Sequence, residues 1–184
     1  NIVTRKPEEG WHASANLAGG SYSFVNPSTV VSYGGPRLSG QAGYSYRSSK
    51  PYEDGSGRAF TELANYRPDS VDSDAFEVGT GWGRLVLAPA EGHSVQLAYT
   101  RQEADKVLYP YLMMDAIFDD TDRANASYEF TGNGPVLRAV RAQAYLTRVE
   151  HWMTDAYRTS STTAPREYAM GSDASSEVTG GEVE

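Results

Sequence analysis

Cysteine is absent from the 184 residues. That excludes a disulfide framework, a thiolate metal site and a thiol nucleophile within this stretch. Long apolar runs are absent too: nothing approaches the roughly 18 residues of a membrane-crossing helix. Basic residues are scarce. Sixteen Lys and Arg stand against 24 Asp and Glu, a formal charge of −8. This argues against a nucleic-acid partner, which needs a basic face. Helical periodicity hardly occurs, and no 3.6-residue pattern persists beyond about ten residues. The three His come with no Gly-x-Ser-x-Gly elbow, so hydrolase chemistry has no support and no enzyme is expected. Apolar residues reach only 39%, under the roughly 45–50% of an ordinary globular domain. None of these absences excludes a transmembrane β-barrel, whose strands alternate and whose mean hydropathy is low.

What is present is a period of two, in a chain with 13 Tyr, 5 Phe, 3 Trp and 18 Gly. Trp11, Ala13, Ala15 and Leu17 alternate with polar neighbours, as do Leu38, Ala42, Tyr44 and Tyr46. Val95, Leu97 and Tyr99 do the same, and so do Ala124, Ala126, Tyr128 and Phe130. Each stretch reads as a strand with one apolar and one polar face. Strands are predicted over 11–18, 28–34, 38–47, 75–88, 94–104, 120–131 and 136–150, with a weaker segment after Pro165. Leu38, Ala42, Tyr44, Val95, Leu97, Tyr99, Ala126 and Tyr128 are expected on a lipid-facing side. Gln41, Ser45, Gln96, Arg123, Asn125 and Glu129 are expected on the inner side.

The connections alternate as well. Dense turn signals sit at 34–37, 89–92 and 132–135, and long loops run over about 48–73, 104–119 and 154–165. Short turns on one rim and long loops on the other describe an antiparallel meander of the outer-membrane kind. A β-sandwich or lipocalin-like barrel, a soluble β-sheet binding module, also alternates. Its core would be thin here, because small residues dominate the apolar faces. Tyr and Trp also gather near strand ends, as interfacial girdles do. The chain opens on Asn1, without a charged-then-apolar leader, and ends at Gly180-Gly181-Glu182-Val183-Glu184 without a stop signal. It reads as a segment of something larger.

Asn1-Ile2-Val3-Thr4-Arg5-Lys6-Pro7 resembles the last plug strand of TonB-dependent outer-membrane receptors, after which the barrel begins. Alternation starts at Trp11, where that family would have it. The resemblance implies an all-β fold. Residues 1–9 would close the plug, and 10–184 would be about eight N-terminal strands of a barrel that has about 22 in this family. It implies energy-coupled uptake across the outer membrane of a Gram-negative bacterium. The partners would be the TonB complex, through an upstream plug region, and outer-membrane lipid.

A narrower resemblance rests on sulfur. Met113 and Met114 lie in Tyr109-Pro110-Tyr111-Leu112-Met113-Met114-Asp115, Met153 in His151-Trp152-Met153, and Met170 in Tyr168-Ala169-Met170. A His-x-Met pair with a Met-bearing loop before it is similar to the TonB-dependent copper receptors. The implied cargo is copper, with no organic cofactor; a ferric siderophore or another metal chelate is the alternative within the class. Spacing adds an independent argument. His151 and Met153 are two apart, so both point to one face of a strand. A hairpin turning at 132–135 would set Met153 opposite Met114 and His151 opposite position 116. Thioether with imidazole is a soft ligand set that suits Cu(I). Met114, His151 and Met153 are therefore the candidate metal ligands. Met113, Met170 and Asp115 rank behind them: Met113 would point to the other face, and the register of Met170 is open. Thioethers beside aromatics also serve as ordinary packing.

Two further features have plainer readings. Asp115, Asp119, Asp120 and Asp122 form an acidic stretch without the ligand spacing of an EF-hand, and read as a solvated loop. Gly79-Thr80-Gly81-Trp82-Gly83 lacks the Lys and helix of a phosphate loop, and reads as a strand packed closely on a neighbour.

Overall fold

The computed structural model describes residues 7–134, 137–163 and 166–184. The stretch 1–6, most of the segment read as a plug strand, lies outside them. Eight strands follow one another: β1 (Gly10–Gly19), β2 (Val25–Gly34), β3 (Leu38–Ser49), β4 (Phe76–Leu87), β5 (His93–Val107), β6 (Asp115–Thr131), β7 (Ala139–Thr154) and β8 (Gly171–Val183). They form one sheet in sequence order, every neighbouring pair antiparallel. Among the described residues, helix is confined to one short α-helix, α1 (Phe60–Leu63), and two 3-10 turns, Pro68–Ser70 and Thr159–Thr163. No helix among the described residues is long and apolar enough to cross a membrane.

The register sorts the two faces cleanly. One row crosses all eight strands as Trp11, Tyr33, Gly40, Leu85, Leu97, Ala126, Ala144 and Gly181. The row beside it, on the other face, runs His12, Ser32, Gln41, Arg84, Ala98, Asn125, Tyr145 and Gly180. The two sets of residues separated by alternation fall on opposite faces of the sheet. The apolar side is bare: Leu97 is 46% exposed and Tyr99 50%, while Gln96 and Ala98 beside them are half-buried. A sheet that leaves its apolar side bare differs from one layer of a water-borne sandwich, which buries that side.

Aromatic rings mark both ends of the bare band. Trp11 stacks on Tyr33 at 5.1 Å, and His93 lies 4.9 Å from Phe130 at the short-turn end. Tyr44 and Tyr99 stand at the other end. Beyond them the same face turns charged. Arg101 bonds Asp122, Asp120 and Glu103, and Arg148 bonds Glu177. β6 begins at Asp115, five residues before the expected start, and β7 ends at Thr154, four after the expected end; the two extensions pair with each other on the ladder. Arg148 belongs to the charged belt above the apolar face.

Glycines sit directly opposite large rings. Gly43 faces Trp82, Gly81 faces Tyr44, and Gly180 faces Tyr145. A Cβ on Gly43 would stand 2.8 Å from the Trp82 ring and 2.9 Å from the Thr29 carbonyl oxygen. The run Gly79 to Gly83 is thus the floor under an aromatic ring, the close packing read from the sequence and not a phosphate loop.

The long connections share one rim and build a small core there. Phe60, Tyr66, Ala75 and Leu108 are buried together, with Ala64, Phe76 and Tyr157 against them. The short connections 35–37 and 88–92 lie at the opposite rim.

Candidate metal site at the long-loop rim

Three loops meet above the sheet: 50–75, 108–114 and 155–170. One buried side chain ties them. Arg158 donates from Nε and Nη2 to the Asp115 carboxylate at 2.6 Å each. It also donates to the carbonyls of Ala64 at 2.9 Å and Tyr109 at 2.8 Å. Its guanidinium lies 3.8 Å from the Tyr66 ring centre. The Tyr66 hydroxyl and the Tyr109 N–H both donate to Asp115 Oδ1, at 2.9 and 2.7 Å. Burial, and then the Asp115 charge, push the Tyr66 hydroxyl above its ordinary value, so it remains a donor. Asp115 thus spends its oxygens on Arg158, Tyr66 and Tyr109, which sets it apart from the metal role considered for it.

The next residue of interest is Asp155, fully buried at the end of β7. Its carboxylate accepts the N–H groups of Ala169 and Met170 at 2.8 and 2.9 Å and the Ser160 hydroxyl at 2.5 Å. Burial works to raise its pKa, but these donors outweigh burial and hold it below the usual carboxylate range. The Asp155 N–H in turn donates to the Met170 carbonyl at 3.2 Å. Met170 is thereby fixed just before β8.

His151 and Met153 lie on β7, two apart and on the polar face. His151 is paired with Asp119 on one side and Ala174 on the other; Met153 is paired with Ala116 and Ser172. Apart from Asp119, every residue opposite the pair is small, so ring and thioether rise from a low floor. His151 Nδ1 lies 3.0 Å from Asp119 Oδ2. That bond occupies one ring nitrogen and leaves Nε2 for a ligand.

The register corrects the expected pairing of Met153 with Met114. The last pair of the β6–β7 hairpin is Thr131 with Ala139, so its loop is longer than 132–135. A bulge between Ala116 and Phe118 then takes back one position. Met153 ends opposite Ala116, and Met114 precedes β6, next to Asp115. Since Asp115 pairs with Thr154, Met114 adjoins the same rim but not the same row. Met170, whose register the sequence left open, lies just before β8, two positions from Ser172, the residue opposite Met153. Met113 is 68% exposed at the loop tip.

The acidic stretch is not a solvated loop. It lies in β6, and its members take separate partners: Arg158 for Asp115, His151 for Asp119, Arg101 for Asp120 and Asp122. No group of three or more His, Asp and Glu able to hold a metal occurs among the described residues. Any metal here would rest mainly on sulfur. Sequence reasoning passed over Arg158 and Tyr66, which follow no period, and placed Asp119 only in the acidic run.

No protein-family model matches the chain. No curated protein matches it in sequence. Among solved structures, the chain is similar to one described as the copper transporter OprC, with a TM-score of 0.77 over 97% of this chain at 18% identity. The fold is that of a stretch of β-barrel wall. The match covers 27% of that transporter, so this chain spans about a quarter of its length.

Proposed function

We propose that the chain is the first part of the barrel of an outer-membrane transporter that takes up copper, with His151 and Met153 as the barrel's share of the metal site. Residues 10–184 form barrel wall, and 1–9 close a plug that lies upstream. The bare apolar face meets outer-membrane lipid, and the polar face meets the plug. Copper arrives from outside at the long-loop rim, and the TonB complex supplies energy through the plug. No reaction is catalysed and no organic cofactor takes part. Met114 and Met170 flank the pair from either side, and residues from the plug complete the shell.

The observation that carries this reading is the placement of one imidazole and one thioether side by side, on the polar face, at the rim where the long loops meet. That set suits Cu(I) and serves Mg²⁺ or Ca²⁺ poorly. The likeness in fold to a copper transporter supports the same cargo. The test is uptake of radioactive copper by cells making the full-length protein. Uptake should depend on this protein and on the TonB complex, and should fall at least tenfold in His151→Ala with the barrel still assembled. Uptake unchanged in that variant would contradict the reading.

A further inference from the structure

We propose that Asp119 is a positioning residue for the metal ligand His151, holding its ring so that Nε2 faces the metal. The inference rests on the copper reading above and extends it to a residue outside the sulfur and imidazole set.

Four observations carry it. Asp119 and His151 are directly opposed on β6 and β7, so their Cβ atoms are held at about 4.5–5.5 Å by the ladder itself. The carboxylate meets the ring at Nδ1, at 3.0 Å. A neutral imidazole whose Nδ1–H donates to a carboxylate keeps its lone pair on Nε2, the nitrogen that must bind. The strand on the far side offers only Ala174 opposite the ring, so nothing else there competes to orient it. Finally, the pair is too open to be a strut of the fold. The side chains are 23% and 31% exposed, and a hydrogen bond that water can replace contributes little to stability. The other acids of β6 follow a different pattern, since Asp120 and Asp122 turn to the opposite face and serve Arg101.

A ligand held in the right tautomer and angle binds without first being ordered, and loss of such outer partners costs about 10–100-fold in metal affinity. The experiment is a double-mutant cycle on the full-length protein in detergent. Cu(I) affinity is read by competition with a chromophoric chelator, and assembly by the heat-dependent electrophoretic shift of the barrel. Asp119→Ala should weaken Cu(I) by about 10–100-fold. Asp119→Asn, which keeps an acceptor for Nδ1–H, should stay near wild type. In a His151→Ala background, Asp119→Ala should cost nothing more, because it acts through the ring. Copper-edge X-ray absorption should show imidazole scattering in wild type, and less of it in Asp119→Ala. Equal losses from Asp119→Ala in both backgrounds would overturn the proposal, as would an Asp119→Ala protein with unchanged affinity and full imidazole scattering. If instead His151→Ala alone binds Cu(I) as tightly as wild type, the copper reading fails first, and the role of Asp119 falls with it.

Discussion

Arg158 does more for the long-loop rim than any other residue. It reaches all three loops and neutralises a carboxylate with no access to water. Removing one member of a buried pair strands the other, at a cost of about 3–5 kcal/mol. Arg158→Met should therefore release the loops while leaving the strands paired. Limited proteolysis reads this: cleavage within 50–75 and 108–114 should speed up, and equal rates would contradict the knot. Asp155 gives a pH signature. The fold holds its carboxyl below the usual carboxylate range in spite of burial. Its contribution is therefore complete above that range and is lost as pH falls through the lower folded pKa. The Ala169 and Met170 amides should be protected from hydrogen exchange at neutral pH, and that protection, measured against the intrinsic rate at each pH, should be lost in strong acid; Asp155→Ala should lack it at both. At this scale the sequence was half legible. His151 and Met153 could be placed together from a spacing of two. The partner of Met153 could not, because hairpin length and a bulge set it. Arg158 carries no periodic mark at all.

Strands read more easily than side-chain partners. Four of them could be located by clean alternation, since a half-buried sheet repeats every two residues whatever its tertiary setting, and β2, β4 and β7 by fainter patterning. The largest boundary misses lie where alternation fades, at Asp115 and Thr154, where β6 and β7 extend each other's ladder. β8, with few large apolar side chains, owes its place to the ladder with β7. Glycine shapes the strands in a second way, by leaving room for opposed rings. Gly43→Ala would push a methyl into the Trp82 ring and the Thr29 carbonyl. Overpacking of this sort costs about 1–3 kcal/mol. The midpoint of urea unfolding in detergent should drop for Gly43→Ala, and should hold for Ser39→Ala, four residues earlier on β3. An unchanged midpoint for Gly43→Ala would show that the strands shift to absorb the methyl.

At the largest scale the described residues form one sheet with an apolar side and a polar side, capped at one rim by loops. Its apolar face is flanked by aromatic rings at one end and by aromatic rings and then ion pairs at the other. That order fits strands that cross lipid and continue past it. A charge at mid-depth on a lipid-facing position costs about 2–4 kcal/mol, and one facing the lumen far less. Leu97→Arg should therefore hinder assembly into the outer membrane, and Gln96→Arg should assemble normally; the reverse would invert the faces. The fold was legible at this scale because faces and loop lengths alternate together. The proposed copper cargo was suggested in the sequence only by four sulfurs and one imidazole, which the topology brings to one rim. The most direct test of the account is the copper content of the purified full-length protein, wild type against the double variant His151→Ala, Met153→Ala. The account predicts bound copper in the wild type and little or none in a variant that still assembles as a barrel. Equal copper in both would contradict it and return His151 and Met153 to packing.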